Sequence, residues 1–163
     1  MIKEKNREKR LNILSIMVVI LLVIAAIVFL VRDGGLRGNR IKLDEEYYSE
    51  FIDYDNISAE EYEELVNDKK SFVVLVDQDG CDAADRLREF TERWSKEKKI
   101  KVQRIMFSKM RETSMHELVK YYPSVVVIEK GTVRDYLRAD SDEDAEEYND
   151  YEAFKKWMSE KIE

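Results

Sequence analysis

The chain contains one cysteine, Cys81, and one histidine, His116. A lone thiol can attack a disulfide, exchange with a small thiol or hold a partner's cysteine. An ordinary thiol is only about 3% thiolate at pH 7, so any such role needs help from its surroundings. A helix N-terminus would supply about 0.3–1 kcal/mol toward the anion. Against it stand Asp79, Asp82 and Asp85, with Asp77 somewhat further off, while Arg86 and Arg88 would return part of the loss by folding back. With no second cysteine, a mixed disulfide at Cys81 has no internal resolving thiol, and a disulfide within the chain and a CxxC zinc site are both excluded. His116 reads as a surface histidine on a short helix rather than the base of a Cys–His pair. Asp140, Asp142, Asp144 and Glu146 alternate as calcium-loop ligands do. However, Ala145 stands where the sharp-turn glycine is needed and Tyr151 where the closing glutamate would be, so a solvated acidic loop is expected. There is no phosphate-binding glycine loop and no HExxH pattern, and no cofactor or metal is expected.

Positioning Cys81 falls to the stretch SFVVLVDQDGCDAADRLREFTERW, residues 71–94. Phe72 to Val76 is an unbroken apolar, β-branched run, which predicts a strand buried on both faces. Asp77 to Gly80 is a polar, glycine-ended turn. Ala83, Ala84, Leu87, Phe90 and Trp94 then recur at helical spacing, and Lys96 to Lys99 close that helix with positive charge. Cys81 thus lies where a central strand passes into an amphipathic helix.

Further along the chain, Tyr47 to Asn56 predicts a short edge strand. Ser58-Ala-Glu-Glu61 is a capping box opening a helix with Tyr62, Leu65 and Val66 on its apolar face. Ile100 to Phe107 predicts another strand. Ser114-Met-His-Glu117 repeats the capping-box pattern and predicts a short helix through Leu118, Val119 and Tyr122. Pro123, the only proline, precedes a second buried strand, Ser124 to Ile128. Lys130-Gly131 turns into Thr132 to Leu137, and after the acidic loop a last helix carries Tyr151, Phe154, Trp157, Met158 and Ile162. Buried strands joined through helices argue for an α/β domain with a mixed sheet covered on both faces.

Leu11 to Val31 is free of charge and almost wholly apolar, and from Ile13 onward it would span about 28 Å as a helix, close to the ~30 Å hydrocarbon core. The expectation is a basic cytoplasmic tail (1–10), one transmembrane helix (11–31), a glycine-rich linker (32–46) and a domain over 47–163. The cations ahead of the span place the N-terminus inside and the domain outside the cytoplasm. Residues 1–32 carry six Lys/Arg against two Glu, which leaves −11 of the net −7 for the rest of the chain. A domain that acidic is a poor partner for nucleic acid.

Three segments resemble the thioredoxin family over roughly Tyr47 to Ile162: FVVLVDQDGC (Phe72–Cys81), YPSVVVIEKG (Tyr122–Gly131), and the terminal helix with Phe154 and Trp157. The resemblance implies the thioredoxin fold, with Cys81 at the active position and Pro123 as the cis-proline beside it. It also implies that Gly80, Asp82 and Tyr122 join them around a groove for an extended peptide. The family's CxxC is Cys81-Asp82-Ala83-Ala84 here, the tryptophan usually preceding the first cysteine is Gly80, and the family's buried acid falls at Leu75. The expectation is therefore a membrane-anchored, extracytoplasmic, bacterial-type domain. It would have lost dithiol redox chemistry and would serve as a binding or accessory module for exported or membrane proteins. Monothiol exchange through Cys81 is the alternative.

Overall fold

The computed structural model describes residues 40–49 and 56–163. Among them no helix is long and apolar enough to cross a membrane, and the expected span over 11–31 lies outside the described residues.

Strand β1 (Phe72–Asp77) is buried at every position. It pairs in parallel with β2 (Gln103–Met106) and antiparallel with β3 (Ser124–Glu129), which pairs antiparallel with β4 (Thr132–Tyr136). The sheet order is β2-β1-β3-β4. Alternate residues of a strand point to opposite faces, so the partners of β1 locate the helices. Phe72 meets Tyr62 of α1 (Ala59–Asn67) and stacks on Tyr47. Asp77, of the other parity, bonds Arg88 of α2 (Asp82–Lys98). The sheet is therefore covered on both sides, as the uninterrupted apolar run required.

Helix α4 (Tyr151–Lys161) packs beside α2. Phe90 sits 5.7 Å from the Tyr151 ring and 6.0 Å from Phe154, the Arg93 guanidinium lies 3.8 Å over Tyr151, and Lys155 pairs with Glu97 at 2.7 Å. Trp94, Phe154, Leu87 and Met158 are buried, which is where the helical periodicity put them.

The capping box at the start of α1 forms in full: the Glu61 N–H donates to Ser58 Oγ at 3.1 Å and the Ser58 N–H to Glu61 Oε2 at 2.7 Å. The β3–β4 turn needs left-handed backbone at Lys130 (φ 49°) and Gly131 (φ 75°). Gly131 also donates its N–H to the Lys70 carbonyl at 2.8 Å, and a side chain there would run into the carbonyl of Val66 at the end of α1.

Several expectations are corrected. Of the strand expected over Tyr47 to Asn56, Glu45–Tyr47 is a 3-10 turn, Tyr48 and Asn56 make isolated bridges to Ile100 and Arg104, and 50–55 lie outside the described residues. The domain starts earlier than residue 47: Ile41 and Leu43 are core residues, and Ile41 bridges to Ile162. Strand β2 covers only part of the expected Ile100 to Phe107: Ile100 makes an isolated bridge to Tyr48, and Phe107–Met110 form a helical turn, α3. The pattern at Ser114 makes no capping box. Ser114–Glu117 is a single 3-10 turn whose Ser114 N–H donates to Glu63 of α1 at 2.6 Å, so a tertiary partner takes the place of the local one. The acidic loop is not simply solvated. Asp144 is buried against Arg138, which reaches it through its own N–H at 2.8 Å, Nε at 2.9 Å and a terminal nitrogen at 2.8 Å.

Candidate functional site

The carboxyl end of β1 and the start of β3 meet at one end of the sheet. Ser124 is the register partner of Val76, so one residue further on Pro123 stands level with Asp77. From Asp77 the chain runs through Gln78, Asp79 and Gly80 to Cys81, the N-cap of α2. The register thus brings the turn carrying Cys81 and the segment carrying Pro123 to the same sheet end. The sequence expected this pairing, and the two segments are 42 positions apart in its numbering.

Cys81 is half-buried, and its backbone is extended (φ −125°, ψ 119°). Its carbonyl accepts the first intrahelical bond, from the Asp85 N–H at 3.0 Å, while its side chain makes no capping hydrogen bond. Gly80 has φ 73° and open space where a side chain would go, so backbone conformation rather than crowding favours glycine there. Asp82 and Asp85 are exposed acids in the first turn of α2, favoured by the dipole.

The Tyr122–Pro123 peptide bond is cis. Pro123 is buried, and its carbonyl accepts from the Tyr148 hydroxyl at 2.8 Å. The same hydroxyl lies 3.1 Å from the Leu137 carbonyl, which also accepts from Ser124 Oγ at 2.6 Å. Tyr148 therefore ties the acidic loop to the start of β3 and the end of β4. Burial, and then the charges of Asp144, Asp140 and Glu147, hold its phenol well above the ordinary tyrosine range, so it stays a donor. Tyr122 is half-buried and stacks on Phe107. Ahead of it, Leu118 (55%) and Tyr121 (51%) are exposed.

Electrostatics at this end differ from the sequence expectation. The sequence sets Asp77 among the charges opposing a thiolate, but its side chain is fully buried and paired with two arginines. Oδ1 accepts from the Gln78 N–H at 2.7 Å and from Arg88 at 2.9 Å, while Oδ2 accepts from Arg88 Nε at 2.6 Å and Arg104 Nε at 2.7 Å. Burial alone would raise the Asp77 pKa. The hydrogen bonds from Arg88 and Gln78, with the charges of Arg104 and Arg88, outweigh it and hold the carboxyl below its ordinary value. Arg88 also bonds Asp85 at 2.9 Å, so that charge is paired too.

Arg104 had no local signal in the sequence, since it reaches Asp77 across the β1–β2 pairing. Tyr148 likewise read only as part of an acidic loop. The polar residue ending an otherwise apolar strand was the available clue to Asp77. His116 lies on the 3-10 turn 114–117, and no group of potential metal ligands occurs among the described residues.

No protein-family model matches the sequence, and no curated protein matches it. Solved structures do. The oxidised thioredoxin from Plasmodium falciparum, 17% identical, superposes with a TM-score of 0.51 over 66% of this chain and 96% of that one. A mutant thioredoxin from Halobacterium salinarum, also 17% identical, aligns over 70% and 93% with a TM-score of 0.48. Identity that low speaks to fold alone. Together with the β2-β1-β3-β4 sheet and its flanking helices, the superposition on the Plasmodium falciparum thioredoxin establishes that this chain carries a thioredoxin-like α/β fold.

Proposed function

We propose that the protein is a single-pass membrane protein whose extracytoplasmic thioredoxin-like domain has lost dithiol chemistry and acts as a binding or accessory module for exported or membrane proteins. The observation that carries this reading is a single half-buried thiol at the sheet end that also holds Pro123, with two exposed apolar side chains shortly before that proline in the chain. Ala84 stands where the family's second cysteine would be and Cys81 is the one cysteine, so no thiol in the chain can resolve a mixed disulfide. Leu118 and Tyr121, within five residues of Pro123, remain exposed, and side chains of that kind gain from being covered by a partner. Gly80, Asp82 and Tyr122 border the same end.

The alternative is monothiol exchange, or capture of a substrate cysteine, at Cys81. Its support is the partial exposure of the thiol at a helix start. In-cell crosslinking from a photoreactive residue placed at Lys120 separates the two. A binding module keeps its crosslinked partner in Cys81→Ser and loses it in the double variant Leu118→Asp with Tyr121→Asp. Thiol exchange loses the partner in Cys81→Ser and gives a reducible adduct in the parent chain. Neither pattern appearing would overturn the proposal.

A further inference from the structure

Asp77 is joined to three separate segments, and none of these contacts depends on what Cys81 does. One oxygen holds the Gln78 N–H, the first amide of the turn leading to Cys81. Arg88 reaches both oxygens from the second turn of α2. Arg104 reaches Oδ2 from β2, with Nε and a terminal nitrogen both at 2.7 Å. Arg104 also holds the approach to α1, because its carbonyl accepts the Ile57 N–H at 2.8 Å. Cys81, Asp85 and Arg88 are spaced four and three apart, so they share one side of α2, and the Asp85–Arg88 pair at 2.9 Å extends the network toward the helix start.

We propose that the Asp77–Arg88–Arg104 cluster is a local latch that holds the Gln78–Cys81 turn, the start of α2 and strand β2 to the central strand, so that this sheet end opens when the latch opens and without global unfolding. The geometry suits such a device. The carboxylate is fully buried, while both arginine side chains are about a quarter exposed (25% and 21%) and can swing into water once released. Packing elsewhere in the core makes none of these contacts: β1 and β3 pair through apolar residues from Phe72–Ile128 to Leu75–Val125, and α2 meets α4 through Phe90. Opening the latch loosens the turn and β2 while leaving that packing in place.

Amide hydrogen exchange of the full-length chain, read by mass spectrometry, tests this. Asp77→Asn is expected to raise exchange at 78–85 and at 103–106 by about tenfold or more, with 125–128 changed much less. Arg88→Met is expected to loosen 78–85 alone, and Arg104→Met 103–106 alone. Alkylation of Cys81 at fixed pH should quicken in Asp77→Asn and Arg88→Met and stay unchanged in Arg104→Met. The two arginine variants are informative even if Asp77→Asn fails to fold. Exchange rising uniformly across the domain, or the same pattern in both arginine variants, would overturn the latch. The crosslinking outcome described above has no bearing on it.

Discussion

A carboxylate with no solvent exposure is tolerable only while its partners stay charged and close, which makes Asp77 a residue whose worth depends on pH. Its folded pKa lies below the ordinary 3.8, so its contribution is complete above that value and is lost as pH falls through the folded value. Asp144 behaves the same way. Hydrogen bonds from Arg138 lower it more than burial raises it. Thermal melts as a function of pH should therefore show stability falling below about pH 4, with the acid limb shallower in Asp77→Asn and in Asp144→Asn. At neutral pH Asp77→Asn should cost about 1.5–3 kcal/mol, because the charge-assisted hydrogen bonds to the carboxylate are lost while both arginines, already a quarter exposed, can reach water. Chemical denaturation measures that cost, and a value within error of zero would mean the arginines find water without penalty.

Among the elements, two copies of one sequence pattern met different fates. Ser58-Ala-Glu-Glu61 caps α1, so Ser58→Ala should lower unfolding free energy by about 1 kcal/mol. In Ser114-Met-His-Glu117 no reciprocal cap forms and Glu117 is exposed, so Glu117→Ala should change stability by less than about 0.5 kcal/mol. The difference is one of space, since Glu63 of α1 is already within 2.6 Å of the Ser114 N–H. Gly131 belongs to this scale as well. Gly131→Ala should cost more than the roughly 1 kcal/mol typical of a strained backbone, because the added carbon meets the Val66 carbonyl as well. Urea titration of the variant against the parent checks it.

For the whole molecule, the proposed anchor decides where the domain resides. The proposed span is apolar from Leu11 to Val31 apart from Asn12 and Ser15. Placing two charges at its centre, Leu21→Arg with Ile24→Arg, should cost about 5 kcal/mol of insertion and move the protein out of the membrane fraction. Recovery of the double variant in the membrane pellet after carbonate washing would count against the anchor. A reporter fused after Glu163 should be active only outside the cytoplasm if the leading cations set the orientation.

Much of the domain was legible because its signals are local. Phe72 to Val76 reads as a strand covered on both faces, the spacing of Leu87, Phe90 and Trp94 reads as a helix with one buried side, and Lys130-Gly131 supplies the left-handed turn its hairpin needs. The order of those elements, with a cysteine at one junction and a proline at another, was enough to anticipate the fold. The charge balance around the site was not legible in the same way. The chain lists Asp77, Arg88 and Arg104 as separate charges of an acidic protein. Only the parallel pairing of β1 with β2 and the docking of α2 turn them into one cluster, in which two arginines share a single buried carboxylate. The same holds for Tyr148, whose hydroxyl finds the Pro123 carbonyl from 25 residues away. Periodicity and capping act between near neighbours and can be read in order. Which buried charge is paired, and by what, is decided by contacts that come into being only when distant segments are folded together.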